Sequence, residues 1–402
     1  MAFARSLPRG SFGRSDRIRA SSRATRGALS SRRSASLRRI VLATQGTTDA
    51  NGEIRIWSPI APHADLPSIE GCALQRLSQL ERLDPRHLLE LSPGATDSEI
   101  QRWLLLNTAL YDDGLHVHLT GQLRSPLLIL HHPPREGTHA LSNSRVIIEA
   151  DANSRGIIIE HHLDASAAQL CNSASIIHLG RSARLEHYRI FSSGTKSRHL
   201  DHLLVRQAAD STFLQHTVVP GSGFVRTTLE AGLCGPGASL DSHTLMAAHG
   251  EDLPDCVNLV SHEAPQTRSR QTARLIASRN GRAAFNSKVT VAPGAQKADS
   301  VQSCRGLLLS PGAEIDTRPQ LEIYADDVKC SHGATTGRLD PDMLFYLLSR
   351  GIDPATAQSL LVFAFLADVL TGMSLESVRT AIEDHLVSLL PDTSTLQQFL
   401  SR

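Results

Sequence analysis

The sequence predicts a mainly β fold with helical ends. Three observations carry that prediction. Between residues 125 and 328, short apolar or alternating runs follow one another with no long helical period between them. Gly, Asn, Asp and Pro punctuate those runs, as turns require. Beyond residue 340 the spacing becomes helical and capping residues mark each helix boundary.

The chain has 402 residues, enough for more than one compact unit. Residues 1–40 hold eleven Arg, no Lys and one acid, Asp16, for a net +10. The total is +1, so the other residues sum to −9. The basic segment cannot bury a core and is expected to be a disordered tail. Its composition also fits an organelle transit peptide or an over-extended start. The acidic remainder argues against a nucleic-acid-binding fold.

Residues 41–124 read as a partly helical N-terminal region. Leu74 to Leu91 has apolar residues at helical spacing up to Pro85, and Thr96 to Leu110 opens with cap-prone residues. LHVHL (115–119) alternates like a strand. Its His116 and His118 share a face, as a metal pair would, but two polar positions on a half-exposed strand explain them as well.

Residues 125–335 form the predicted β core. Thirteen strand candidates run from PLLIL (126–130) through SRVIIEA (144–150) and RGIIIEHHL (155–163) to LEIYA (321–325), with none between 192 and 210. Continuous apolar runs suit strands buried on both faces. The lack of helical crossovers argues against a doubly wound sheet and leaves a sandwich, a barrel or a solenoid. Gly-containing corners put the solenoid slightly ahead, although no strict repeat length is visible.

Residues 336–402 read as a C-terminal helical domain. Asp340-Pro341 and Asp353-Pro354 each place a capping Asp before Pro at the first helical position, and Gly351 and Gly372 close the two helices. LLVFAFLA (360–367) is apolar around its whole circumference, so it is expected to be buried on more than one side. Either the rest of the chain or a partner covers it. Ser374 opens a last helix striped by Leu375, Val378, Ile382, Leu386 and Leu389.

Catalytic motifs are scarce. There is no G-x-x-x-x-G-K-S/T loop, so no ATP is expected to bind this chain. G-x-S-x-G and H-E-x-x-H are missing too. Six cysteines, with no C-x-x-C, argue against a zinc ribbon or a disulfide framework. No apolar run reaches membrane-spanning length. What stands out is Cys330 and His332, two residues apart on an extended segment and therefore on one face. Thiol and imidazole are both metal ligands. Two ligands are too few to hold a metal, so a site would need others from elsewhere.

The run PQLEIYADDVKCSHGATTGRLDPDMLFYLLSRGI (319–352) closely resembles the SufB/SufD family of iron–sulfur cluster assembly subunits, in its SufD branch. VAPGAQKADSVQSCRGLLLSPGAEIDTRPQ (291–320), RNGRAAFNSKVTV (279–291) and LNTALYDDGLHVHL (106–119) fit in the same order. The chain departs from the pattern in a short N-terminal region and in Ser287, which stands where Gly is common. The resemblance implies a right-handed parallel β-helix core flanked by N- and C-terminal helical regions. It implies a non-catalytic scaffold that pairs with a SufB-like subunit through the β-helix. A SufC-like ATPase would dock on the C-terminal helices, through residues such as Met343, Phe345, Tyr346 and Arg350, or Phe363 and Phe365. It further implies that His332, with Cys330 beside it, holds a nascent cluster or iron at the SufB interface. It admits a homodimer of the chain alone, a reduced flavin on the assembled complex, and a cytoplasmic or plastid location. Two other readings stay open on the residues alone: a β-helix enzyme acting on polysaccharide, and a stable Cys/His metalloprotein.

Overall fold

The computed structural model describes residues 54–58, 66–80, 98–111, 114–131, 141–163, 170–192, 198–221 and 223–389. The predicted tail at 1–40 lies outside them. The described strands are β1 (Ile54–Ser58), β2 (Cys72–Arg76), β3 (Gly114–Leu119), β4 (Leu127–His131), β5 (Leu141–Ala150), β6 (Arg155–His162), β7 (Leu170–Leu179), β8 (Arg184–Phe191) and β9 (Arg198–Gln207). They continue as β10 (Thr212–Pro220), β11 (Phe224–Leu233), β12 (Ser239–Gly250), β13 (Leu253–His262), β14 (Arg268–Arg279), β15 (Arg282–Val291), β16 (Asp299–Leu308), β17 (Glu314–Ile323) and β18 (Lys329–Gly337). The helices are α1 (Ser98–Leu110), α2 (Pro341–Ser349), α3 (Pro354–Ala367) and α4 (Glu376–Leu389).

From β3 onward successive strands alternate between two sheets. One runs β1-β4-β6-β8-β10-β12-β14-β16-β18 and the other β17-β15-β13-β11-β9-β7-β5-β3-β2. Each strand pairs in parallel with the strand two places on, and only β2 and β3 pair antiparallel. The result is a parallel β-solenoid of about seven coils. The expected solenoid is therefore the fold.

The repeat that the sequence hides sits at one corner. Asn153, Ser182, Asp210, Gly237, Gln266 and Lys297 all have positive φ, and they recur every 27 to 31 residues. The amide of each donates to a carbonyl of the next coil, as in Ser182 N to Ala209 O and Gln266 N to Gln296 O, both at 2.9 Å. A left-handed residue costs about 1–2 kcal/mol unless it is Gly, Asn or Asp. Stacking satisfies the amide in each coil, which lets Gln and Lys stand where Gly would be cheapest.

Two apolar clusters fill the interior. One gathers Leu and Val residues such as Leu115, Val146, Leu203 and Val289. The other holds Phe191, Met246, Leu275 and Phe285. Between them runs a buried polar stripe. His187, Gln215, Ser242, Gln271 and Gln302 occupy one register column of the even-numbered sheet, and all are buried.

The outer face of the even-numbered sheet carries Leu130, Ile159, Tyr188, Ile190, Val218 and Leu245, and α3 and α4 cover it. The rest of the chain therefore covers much of the over-apolar α3, burying Val362, Phe363 and Leu366. Asp340 and Asp353 cap α2 and α3 as expected, each accepting from two amides. Gly351 sits at φ +83, a position a side chain would strain. On the other sheet, α1 presents Leu104 to Ala174, Ile176 and Leu204.

Three local expectations need correction. Leu74 onward is strand β2 and a single 3-10 turn (Leu77–Gln79), with residues 81–90 outside the described ones. Register pairing with β3 wins over the helical spacing. The last helix begins at Glu376 because Ser374 bonds Glu186 instead of capping. Strand β9 went unread because two of its inward positions are His199 and Asp201, which break the apolar alternation.

Candidate functional site

The site builds from the last coil. Strands β17 and β18 each have a neighbour on one side only within the described residues, because no later strand follows them. Residues that would be inward elsewhere are therefore uncovered. Every residue of β18 is exposed except Cys330, which is half-buried. Such an edge presents unpaired amides and carbonyls along its length.

Cys330 and His332 lie on this edge, at inward register. Cys330 stacks on Ser300 and His332 on Gln302, both fully enclosed one coil below. Parity thus brings the two predicted ligands together on one face, at the mouth of the interior. Beneath Cys330 runs a bonded column: Ser300 Oγ to Ser269 Oγ at 2.9 Å, then Ser269 Oγ to His262 Nε2 at 2.8 Å. Beneath His332, Gln302 Nε2 donates to Ser287 Oγ at 2.9 Å. Gln302 Oε1 is buried without a partner. Above this floor Cys330 packs half-buried against the interior cluster, while His332 is exposed.

Burial raises the Cys330 thiol above its ordinary value, with the Ser300 backbone opposing. The thiol therefore stays protonated until a bound cation draws off the proton, so the free chain offers weak ligation. The other cysteines are poorer candidates. Burial pushes Cys72, Cys171, Cys234 and Cys256 up to about 11 and Cys304 to about 12.

The predicted docking residues separate into two groups. On α2, Met343 is 58% exposed, Phe345 70% and Tyr346 57%, and no residue of the helix is buried. The Arg350 guanidinium lies 5.1 Å over the Tyr346 ring. On α3, Phe363 is only 9% exposed and packs inside the chain's own apolar layer. Phe365 is half-buried, with the Arg274 guanidinium 5.7 Å from its ring. The His116 and His118 pair does not converge on an open site, since His116 bonds Glu149 at 2.9 Å and His118 bonds Asp151 at 3.0 Å.

Sequence reasoning missed a polar group deep in the interior. Glu160 accepts from His131 at 2.7 Å, His187 at 2.8 Å and Ser175 at 2.8 Å. Desolvation opposes its charge, yet these bonds and the two imidazoles hold its carboxyl well below the usual range. Burial and His131 together depress His162. The usable signal was parity: Glu160 and His162 fall on the inward phase of β6, and His187 on that of β8.

Residues 134–365 match the SufBD core domain of the SUF system for FeS cluster assembly. The chain is 31% identical over 304 residues to the iron–sulfur cluster assembly protein SufD of Escherichia coli, covering 74% of this chain and 71% of that one. A SufBD family protein of Synechocystis is 31% identical over 288 residues, covering 71% of this chain and 62% of its own length. The chloroplastic protein ABCI7 of Arabidopsis thaliana is 30% identical over 253 residues, 62% of this chain and 53% of that one.

Proposed function

The chain belongs to the SufBD family of iron–sulfur cluster assembly proteins, and we propose that it is a scaffold subunit that completes its site only in a complex. The observation that carries this reading is the uncovered last coil with Cys330 and His332 on it. A sheet edge of this length is a template for another chain. A SufB-like subunit that adds its own final coil there would bring further ligands against the two soft donors. The nascent cluster is then cargo, held by mixed Cys/His ligation that is weaker than four thiolates and so suits release. Without that partner the same edge can pair two copies of this chain.

The second contact is to a SufC-like ATPase, which supplies the nucleotide chemistry this sequence lacks. The apolar face of α2 is the available surface, through Met343, Phe345 and Tyr346 with Arg350 at its rim. Phe363 packs in the apolar layer under α3 and so holds that helix on the sheet. The chain itself performs no catalysis in this reading. Any reduced flavin would bind the assembled complex. A chloroplastic relative is compatible with work in a plastid as well as in a cytoplasm.

The test is co-expression of the full chain with the two partner subunits. His332→Ala is expected to leave the complex intact and lower iron and sulfide bound per complex at least severalfold. Unchanged cluster content in that variant would remove His332 from the mechanism. A complex that fails to form from the unmodified chains would sink the pairing itself.

A further inference from the structure

We infer that the solenoid interior holds a second, separate metal site, formed by His131, Glu160 and His162 and suited to a first-row divalent ion. One ligand atom from each of the three residues lies within 4.8 Å of the others, and all three are buried. Two imidazoles and a carboxylate are a donor set for zinc-like or ferrous ions, whereas calcium and magnesium prefer oxygen alone.

The surroundings are those of a supported site. Ser144 Oγ bonds His131 Nδ1 at 3.2 Å, leaving Nε2 directed at Glu160. His187 and Ser175 hold the Glu160 carboxylate from other sides. Outer bonds of this kind orient ligands in metal sites. His162 Nε2 is buried with no hydrogen-bond partner. Asp201 Oδ1, at 3.7 Å, is too far to bond it but near enough to share an ion. Both ring nitrogens of the neighbouring His199 also lack partners.

Charge points the same way. The local buried groups include two carboxylates, Glu160 and Asp201, and one arginine, Arg189, which pairs with Asp201. Glu160 is left to be balanced by a proton on a histidine or by a cation. His162 stacks between His131, at 4.2 Å and 6°, and Phe191, at 4.4 Å and 6°. Two parallel rings cannot both point a nitrogen at one ion. Binding therefore turns His162 out of the stack, and its Nε2 loses no hydrogen bond in doing so.

The probe is Co(II) with the full-length chain, stripped of metal by chelator. It is added both to the folded protein and during refolding from urea, because the site is enclosed. One Co(II) per chain with tetrahedral visible absorption is expected, and Zn(II) should displace it. Binding should persist in the Cys330→Ser, His332→Ala double variant, which separates this site from the edge site. It should weaken at least tenfold in Glu160→Gln and in His162→Gln. If His162→Gln fails to fold, the second reading is thermal: Zn(II) raises the melting temperature of the unmodified chain and not that of Glu160→Gln. Loss of Co(II) binding in the double variant, or no binding in either protocol, would overturn the inference. Neither result bears on the edge site's role in cluster assembly.

Discussion

The two ends of one polar stripe behave differently. At the Glu160 end, every inward side chain is enclosed by coils on both sides. At the Cys330 end, the same phase of the strand is uncovered on one side, because no further coil follows among the described residues. The residue types are similar, histidine with a second donor, but only the enclosed end has its partners in the same chain. Burial therefore makes the first group part of the fold, and its lack makes the second available to another protein.

The largest test of this contrast is removal of a buried charge. Asp201→Ala leaves Arg189 unpaired inside the solenoid and is expected to cost about 3–5 kcal/mol in urea unfolding. His332→Ala at the open end should change stability by less than about 0.5 kcal/mol. Similar costs for the two would erase the distinction.

A second comparison sets α3 against α2. Phe363→Asp buries a charge in the apolar layer under α3 and should destabilise by about 3 kcal/mol or more. Phe345→Asp should leave the melting temperature nearly unchanged and abolish capture of the ATPase subunit in a pull-down. Retained capture would move the docking surface off α2.

Acid should find the enclosed histidines. Burial lowers His161, His199, His202 and His262 to about 4 and His216 to about 3. Unfolded histidines bind protons near pH 6.5, so between pH 6.5 and about 4 the unfolded chain holds more protons than the folded one. Stability is then full above pH 6.5 and falls as pH drops through that window, by several kcal/mol in sum. Glu160 acts only lower still, since its folded value lies below its unfolded one. Urea midpoints at pH 7.5 and 5 measure the effect, and equal midpoints would mean that these rings are hydrated.

The smallest effect belongs to the corner column. Lys297→Gly relieves a positive φ while its amide still donates to Asp327 O, and should stabilise by about 1 kcal/mol. A loss instead would show that the Lys297 side chain contributes more than its backbone strain costs.

These contrasts explain what could be read in advance. RGIIIEHHL and SRVIIEA are strands because their apolar residues leave little choice. The caps at Asp340 and Asp353 are local chemistry, so α2 and α3 were legible too. Cys330 and His332 needed only parity. By contrast, His131, Glu160, His187 and Asp201 lie far apart in the chain and meet only when coils stack. Strand β9 hid for the same reason, since its polar residues point into the stripe. The repeat stayed invisible because one corner position is filled by Asn, Ser, Asp, Gly, Gln and Lys in turn.

The open edge also has a place in time. Coils follow chain order, so each sheet edge made during synthesis is covered about thirty residues later by the next coil. At roughly 5–20 residues per second that is an interval of a few seconds. Among the described residues no later strand covers β17 and β18, and they emerge after the coils behind them can already have stacked. The edge that carries Cys330 and His332 is thus the last to be exposed, and a partner need be present there only when the rod behind it is finished.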